Sequence, residues 1–236
     1  MMKNFIKLSK IIIIAISAVI LIAASSAQAT IIDSFDTYQY LNLIAIGTTS
    51  STDKSGSGYI GNRRYMQLEV TAMPTAGQSA QLQSNSGYLS LSSGSGVVTK
   101  SLLRWYTPGG GLGADLTDGG VDDRFTLRIV DVDATMTLGM RVWDSDGDTA
   151  YRTNSPSIGD LEFFYTAFTV PGDPVDWTDI DQIEFWFDGP AAADMTIDFI
   201  ATANGPIPEP ATMLLLGTGL IGLIGASRIK IKNKGN

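Results

Sequence analysis

Apolar residues in the middle of this chain recur at every second position, which is the feature that most restricts its fold. The clearest runs are Phe125–Ile129, Met136–Val142, Leu161–Ala167, Ile183–Phe187 and Met195–Phe199. A period of two puts alternate side chains on one face of an extended chain and predicts half-buried β-strands. No stretch of residues 30–207 shows a helical period over ten or more positions, the nearest being one turn at Trp177–Ile180.

Shorter alternating runs at Arg64–Val70, Tyr88–Leu91 and Lys100–Trp105 predict further strands, and clusters of Gly, Ser, Asp and Pro separate them. About nine short strands with such turns predict an all-β fold, an antiparallel β-sandwich or jelly roll. The four residues Asp131–Ala134 are few enough for a hairpin, so the strands on either side are expected to pair.

Missing residue types exclude several kinds of chemistry. The chain has 236 residues but neither cysteine nor histidine. Disulfides, thiolate metal sites, cysteine nucleophiles and catalytic histidines are therefore all excluded. Between Asp115 and Asp198 there are nineteen acidic residues against four basic ones, a net charge of −15. Such a surface repels phosphates, so nucleic acid is not an expected partner.

The first 29 residues have the pattern of a secretory signal peptide. Three lysines among the first ten residues precede Ile11–Ala24, and Ala27 and Ala29 occupy the small-residue positions of a cleavage site. The apolar stretch of fourteen residues is shorter than the ~20 that a membrane-spanning helix needs. We expect cleavage after Ala29; the alternative is an uncleaved anchor.

The carboxy-terminal end combines a proline-rich segment, an apolar helix and a basic tail. Pro206–Thr212 leads into the sixteen residues Ala211–Ala226, and Arg228 and three lysines follow. At ~1.5 Å per residue a single hydrophobic helix here is slightly shorter than the ~30 Å hydrocarbon layer. The basic tail favours the cytoplasmic side, so the body would lie outside.

This tail closely resembles the PEP-CTERM sorting signal of Gram-negative bacteria, a tail also labelled ice-binding protein C-terminal domain. Its recognition residues correspond to Pro208, Glu209 and Pro210, with Arg228 as the basic stop. The resemblance implies an exosortase-type membrane transpeptidase as partner, transient inner-membrane insertion through the helix, and delivery to the cell surface or outside. The alternative is a simple tail anchor. Ice binding itself is not expected, because the threonines show no regular repeat.

The central region also resembles the β-sandwich ectodomains of PEP-CTERM proteins and, more distantly, jelly-roll carbohydrate-binding modules. The segments that carry this resemblance are IIDSFDT, GNRRYMQLEV, ADLTDGGVDDRFTLRI, VWDSDGD and ADMTIDFIAT. Three parts are thus expected: a signal peptide at 1–29, a β-sandwich ectodomain at 30–203 and a sorting signal at 204–236.

Two acidic clusters have spacings to be considered for calcium. Asp144, Asp146 and Asp148 alternate, so a looped backbone would turn three carboxylates toward one hard cation. The segment departs from the EF-hand pattern, with glycine in the fourth position and Ser155 in the twelfth. The alternative is a polar hairpin tip. The same choice applies to the second cluster, which comprises Asp115, Asp118, Asp122 and Asp123.

The tryptophans and glutamates suggest two further kinds of site. Trp143 and Trp186 fall in the outward phase of their strands, where aromatic faces stack on sugar rings, unless loops cover them. A glycosidase needs two facing carboxylates, and the candidates Glu162 and Glu184 have nothing in the sequence that brings them together.

The sequence therefore predicts an exported, non-enzymatic structural protein of the cell surface or extracellular matrix, associated with biofilm or exopolysaccharide. The first alternative is a calcium-assisted carbohydrate-binding module, with calcium as its only cofactor candidate, and the second is a carboxylate glycoside hydrolase.

Overall fold

Thirteen β-strands in two antiparallel sheets make up almost all regular structure in the residues that the computed structural model describes, 29–53, 56, 58–61 and 63–203. These residues lie in one compact unit, residues 29–205. Within the described part of the chain, no helix is long and apolar enough to cross a membrane.

The first sheet has seven strands. Six of them lie in the order β11 (Gly159–Phe164), β8 (Arg124–Val132), β13 (Met195–Ala203), β6 (Tyr88–Ser93), β5 (Ala80–Asn85) and β2 (Gln39–Leu43). The short strand β1 (Ile31–Asp33) pairs with β13.

The second sheet has six strands. Their order is β10 (Thr149–Asn154), β9 (Thr137–Asp144), β12 (Ile180–Gly189), β7 (Val98–Tyr106), β4 (Arg63–Ala72) and β3 (Gly47–Asp53). One turn of 3-10 helix, Tyr165–Ala167, follows β11.

The core lies between the sheets and is built from the alternating residues of both. Every second side chain of β8 and β11 is buried, and so is every second side chain of β4, β7, β9 and the middle of β12. These side chains form one hydrophobic cluster, which makes the fold a two-sheet sandwich. The predicted antiparallel β-sandwich is confirmed, although five strands, β1, β2, β3, β5 and β10, were not predicted.

The hairpin predicted at Asp131–Ala134 is wrong. Strand β8 belongs to the seven-stranded sheet and β9 to the six-stranded sheet, so the connection crosses from one sheet to the other. Strand β8 pairs with β11 and β13, while β9 pairs with β10 and β12. Both strands still present one apolar face to the same core, which is why their alternation did not distinguish the two arrangements.

The inward phase expected for Phe199 is also wrong. The pairing of β13 with β8 shifts register between Ile197 and Ile200, which is the signature of a β-bulge. After this shift Ile200 is buried and Phe199 is half-buried. An added residue in a strand reverses the face on which the following side chains lie.

A buried ion pair connects the two sheets. Asp33 is in β1 of the seven-stranded sheet, Arg64 is in β4 of the other, and both side chains are almost fully excluded from solvent. Arg64 Nη1 donates to both carboxylate oxygens at 3.0 and 2.9 Å, and Trp105 Nε1 donates to Oδ2 at 2.8 Å. Trp105 is therefore a core residue with its polar atom satisfied.

Trp177 packs in a group of aromatic side chains beside the 3-10 turn. Its ring stacks on Tyr165 with 4.2 Å between centroids and meets Phe168 and Phe125 edge-on. Tyr165 donates its hydroxyl proton to the carbonyl of Leu116 at 2.8 Å. Trp177 thus packs against the core.

Candidate functional site

The outer face of the six-stranded sheet carries both tryptophans that the sequence singled out. Trp143 on β9 and Trp186 on β12 are half-buried and point away from the core. Arg141, two residues before Trp143, lies between them, with its guanidinium carbon 5.5 Å from each ring centroid. A guanidinium over an indole face is a favourable cation–π contact, so Arg141 holds the two rings in one group.

Gly139 gives Trp186 its position. Residues Gly139 and Trp186 are directly opposed on β9 and β12, and a Cβ atom added to Gly139 would lie 2.1 Å from the indole ring. The indole therefore rests directly on the glycine backbone. Any larger residue at position 139 requires the ring to move.

A row of charged and aromatic residues crosses the same face at one level of the sheet. From β4 to β10 the members of this outer row are Tyr65, Arg104, Glu184, Arg141 and Tyr151, each opposed to the next in register. Arg104 donates to Glu184 Oε2 through Nη2 at 2.6 Å and through Nε at 3.2 Å. The outer row offers ring faces and hydrogen-bonding groups side by side.

Two grooves lie at the ends of this face. The groove beside Trp143 has a volume of about 440 Å³ and is lined by Tyr106, Thr107, Gly111, Asp144, Ser145, Asp146, Gly147, Asp181 and Gln182. The groove beside Trp186 has a volume of about 280 Å³ and is lined by Gln67, Glu69, Lys100, Ser101, Leu102 and Asp188. Both combine an indole edge with amide, hydroxyl and carboxylate groups, the chemistry that recognises sugar hydroxyls.

The three aspartates of the candidate calcium loop have different surroundings. Asp144 is buried, and its carboxylate accepts the backbone N–H of Asp148 at 2.8 Å and of Asp176 at 2.9 Å. Both of its oxygens therefore hold the loop together. Asp146 is exposed and Asp148 is half-buried. Desolvation, with the negative charges of Asp144, Asp173 and Asp146, raises the pKa of Asp148.

The second acidic cluster is also divided. Asp115 accepts the hydroxyl and backbone N–H of Thr117 and the N–H of Gly119, which lowers its pKa and orders the loop. Asp122 is buried and accepts the hydroxyl proton of Thr202. Among the described residues, no group of three or more acidic side chains is placed to hold a metal ion.

The two glutamates considered for hydrolysis are separated by the core. Glu162 is on β11 of the seven-stranded sheet and bonds Arg124 at 3.0 Å, whereas Glu184 is on β12 of the other sheet and bonds Arg104. Both lie in the outward phase of their strands, as expected. They therefore face away from each other.

Sequence reasoning missed Arg141, Arg104, Tyr65 and Tyr151 on this face. The signal was present, because each occupies the phase opposite to the buried residues of its strand. Their grouping was not visible, because it depends on the order β10, β9, β12, β7, β4. The sorting-signal residues Pro208, Glu209, Pro210 and Arg228, the cleavage-site residue Ala27 and the apolar helix lie outside the described residues.

Comparison with known proteins identifies the tail. Residues 206–229 match the family described as "PEP-CTERM protein-sorting motif", so the predicted motif is confirmed. A tail of this kind directs secretion and sorting to the cell surface. The curated proteins contain no match to this chain.

Several solved structures are similar to the body at low identity. The family 11 carbohydrate-binding module of cellulosomal cellulase Lic26A-Cel5E from Clostridium thermocellum is 12% identical, with a TM-score of 0.36 over 77% of this chain and 97% of its own. A solution structure of CtCBM11 is 14% identical, with a TM-score of 0.41 over 78% of this chain and 99% of its own. A family 12 xyloglucanase from Bacillus licheniformis is 12% identical, with a TM-score of 0.34 over 66% of this chain and 99% of its own. At TM-scores below 0.5, these likenesses identify neither a ligand nor an activity.

Proposed function

We propose that this chain is an exported protein that an exosortase-type membrane transpeptidase processes at its tail, and that its β-sandwich serves a structural role at the cell surface or in the extracellular matrix. The match of residues 206–229 to the PEP-CTERM protein-sorting motif carries this proposal. Export begins with the signal peptide at 1–29. The apolar helix then holds the precursor in the inner membrane until the tail is removed.

A non-enzymatic role for the body agrees with its side chains. The carboxylates with defined partners hold the fold together: Asp33 with Arg64, Asp144 with two backbone N–H groups, and Glu184 with Arg104. A pair of carboxylates for hydrolysis must face one another at about 5–10 Å. Glu162 and Glu184 lie on different sheets. We propose association with biofilm or exopolysaccharide as the setting of this structural role.

The sorting step is tested by changing Glu209 to Ala in cells that make the full chain. We expect the variant to accumulate at full length in the inner membrane, because Glu209 is the central residue of the recognised Pro-Glu-Pro sequence and the variant removes its side chain. Asn233→Ala lies beyond the matched residues and serves as the control. Identical distribution and mass of the wild type and Glu209→Ala would contradict the proposal.

Carbohydrate binding is the second candidate, and the outer face of the six-stranded sheet favours it. Trp143, Trp186 and Arg141 form one group there, next to two polar grooves. Sugars bind to such faces by stacking on rings and by hydrogen bonds to charged and amide side chains. Exopolysaccharide would be the natural ligand class for a protein in a matrix. Assisting calcium at Asp144, Asp146 and Asp148 would require the loop to rearrange, because the three carboxylates are not placed together to hold a metal ion.

Affinity electrophoresis of the exported protein in gels that contain polysaccharide tests this second candidate. We expect retardation that decreases when Trp143 or Trp186 is changed to Ala. Tyr88→Ala is the matched control, because Tyr88 is 45% exposed and belongs to the other sheet. Equal mobility of all four proteins with and without polysaccharide would contradict carbohydrate binding, and only the structural role would remain.

A further inference from the structure

The backbone nitrogen of Thr30, the residue before β1, is hydrogen-bonded to a buried side chain of β13. It donates a hydrogen bond to Thr202 Oγ1 at 2.9 Å, and the backbone N–H of Thr202 donates to the carbonyl of Thr30 at 2.9 Å. Thr202 is fully buried. The start of β1 is therefore fixed to β13 by two reciprocal bonds.

Beyond Thr202 the same chain of hydrogen bonds reaches a buried carboxylate. The Thr202 hydroxyl donates its only proton to the carboxylate of Asp122, and Asp122 is only 5% exposed. The ion pairs among the described residues involve Asp33, Glu184, Asp123, Glu162 and Asp160 as acids, so none of these pairs includes Asp122. A buried carboxylate without a cation is costly to ionise.

The charged groups around Asp122 add to this cost. Burial raises its pKa, and the negative charges of Asp118, Asp123 and Asp115 raise it further, while the Thr202 hydroxyl lowers it. Tyr165 also lies near, and the negative charges of Asp122, Asp123 and Asp115 add to the effect of burial in raising its pKa. Arg124, two residues along the chain from Asp122, bonds Asp123 and Glu162 instead.

We propose that cleavage of the signal peptide supplies the missing cation: the α-ammonium group of Thr30 occupies the place of the former amide, beside Thr202 and Asp122, and stabilises β1 in the sheet. This inference rests on the export and the cleavage after Ala29 adopted above. Signal peptidase adds water across the Ala29–Thr30 bond. Ala29 then carries the new carboxylate, and the freed amine of Thr30 takes up a proton.

The position of the nitrogen makes the new charge effective. An amide is neutral and has one proton to donate, whereas an ammonium carries a full charge and three. The Thr30 nitrogen is at most two hydrogen-bond lengths from Asp122, within the ~4–6 Å over which an opposite charge favours a carboxylate's ionised form. One strand of the seven-stranded sheet would thus gain its full stability only in the processed protein.

This arrangement has a defined pH dependence. The ordinary pKa of an α-amino group is ~7.7–8.0, and the neighbouring carboxylate would raise it in the folded protein. A group whose pKa is raised by folding contributes its full stability below the unfolded value. That contribution is lost as the pH rises through the folded value.

The test uses exported protein purified from the culture, whose first residue is established by amino-terminal sequencing. The protein is produced with ¹³C and ¹⁵N labels, and NMR titration of the Thr30 Cα and Cβ signals gives the pKa of the unmodified α-amine. We expect the pKa in the wild type to exceed the ordinary ~7.7–8.0 by about one. In Asp122→Asn it should return to the ordinary range, while in Asp118→Asn, which changes an exposed acid of the same loop, it should stay raised.

Thermal unfolding between pH 7 and pH 10 gives a second readout. We expect the melting temperature of the wild type and of Asp118→Asn to fall over this range as the ion pair is lost. Asp122→Asn has no such ion pair, so its melting temperature should not show this fall. An ordinary pKa for a confirmed Thr30 amine would overturn the ion pair while leaving the export proposal intact. An amino terminus other than Thr30 would also overturn the inference, because cleavage would then not occur after Ala29. If Asp122→Asn is not exported, the titration of the wild type alone still decides.

Discussion

Arg64 and Asp33 form an ion pair in the middle of the sandwich, with Nη1 at 3.0 and 2.9 Å from the two carboxylate oxygens and neither side chain more than 1% exposed. The remaining hydrogen-bonding groups are also used. Arg64 Nε donates to Gln39 at 2.9 Å and Nη2 to the carbonyl of Thr37 at 2.7 Å, while the backbone of Phe35 donates to Asp33. The pair thus connects β1 and β4 across the two sheets.

Breaking this pair from one side should destabilise the protein strongly. Arg64→Met leaves the Asp33 carboxylate buried without its cation, so we expect the free energy of unfolding to fall by about 3–5 kcal/mol. Urea denaturation of the exported protein measures it. The control is Arg128→Met, because Arg128 and Asp160 are 3.8 Å apart and 56% exposed. An exposed pair should contribute under about 1 kcal/mol. Equal effects of the two changes would contradict the importance of the buried pair.

Gly139→Ala should displace Trp186 on the outer face. The new Cβ atom would meet the indole at 2.1 Å, so the ring must leave its place beside Arg141. We expect a lower melting temperature and a shifted tryptophan emission spectrum. Gly110→Ala is the matched control, because a Cβ atom there has no neighbour within 4 Å. An unchanged spectrum in Gly139→Ala would show that Trp186 does not rest on Gly139.

Asp144 should stabilise the fold without calcium. Its carboxylate accepts two part-buried backbone N–H groups, so Asp144→Ala should cost about 1.5–3 kcal/mol for each of these charge-assisted hydrogen bonds. Asp146→Ala, at an exposed position of the same loop, should change stability little. Melting curves with calcium and with chelator distinguish the two interpretations of the loop. A calcium-dependent rise in the wild type, lost in Asp146→Ala, would favour the metal site.

Tyr165→Phe tests the aromatic group beside the 3-10 turn. The change removes the hydroxyl that bonds the Leu116 carbonyl at 2.8 Å but keeps the ring that stacks on Trp177. We expect a loss of about 0.5–1.5 kcal/mol, plus the cost of leaving a buried carbonyl unpaired. Tyr165→Ala should lose more, because it also removes the ring. Equal losses in denaturant titrations would mean that the ring contributes nothing.

The sequence predicted the strands and their buried faces more successfully than it predicted which strands pair with each other. Alternation identified Leu127, Met140 and Phe185 as core residues, since burial of every second side chain depends only on local spacing. The β8 to β9 connection was misassigned, because a four-residue link fits both a hairpin and a crossing between sheets. The bulge near Phe199 left no local signal.

The polar features of the core and surface were harder to predict for a related reason. Arg64 shares its phase with Met66 and Leu68, which was a sign of a buried charge. Its partner Asp33 is 31 positions away and in the other sheet, so only the fold brings the two together. The outward phase of Trp143 and Trp186 was read correctly, but the contact of both rings with Arg141 depends on the pairing of β9 with β12.

The mass of the protein collected outside the cell shows whether the tail has been removed. Intact mass spectrometry, supported by peptide mapping of both ends, determines which residues remain after export. We expect a chain that begins at Thr30 and lacks the apolar segment and basic tail, Leu214 to Arg228 included. External protein that still contains Leu214 to Arg228 would contradict the proposed removal of the tail.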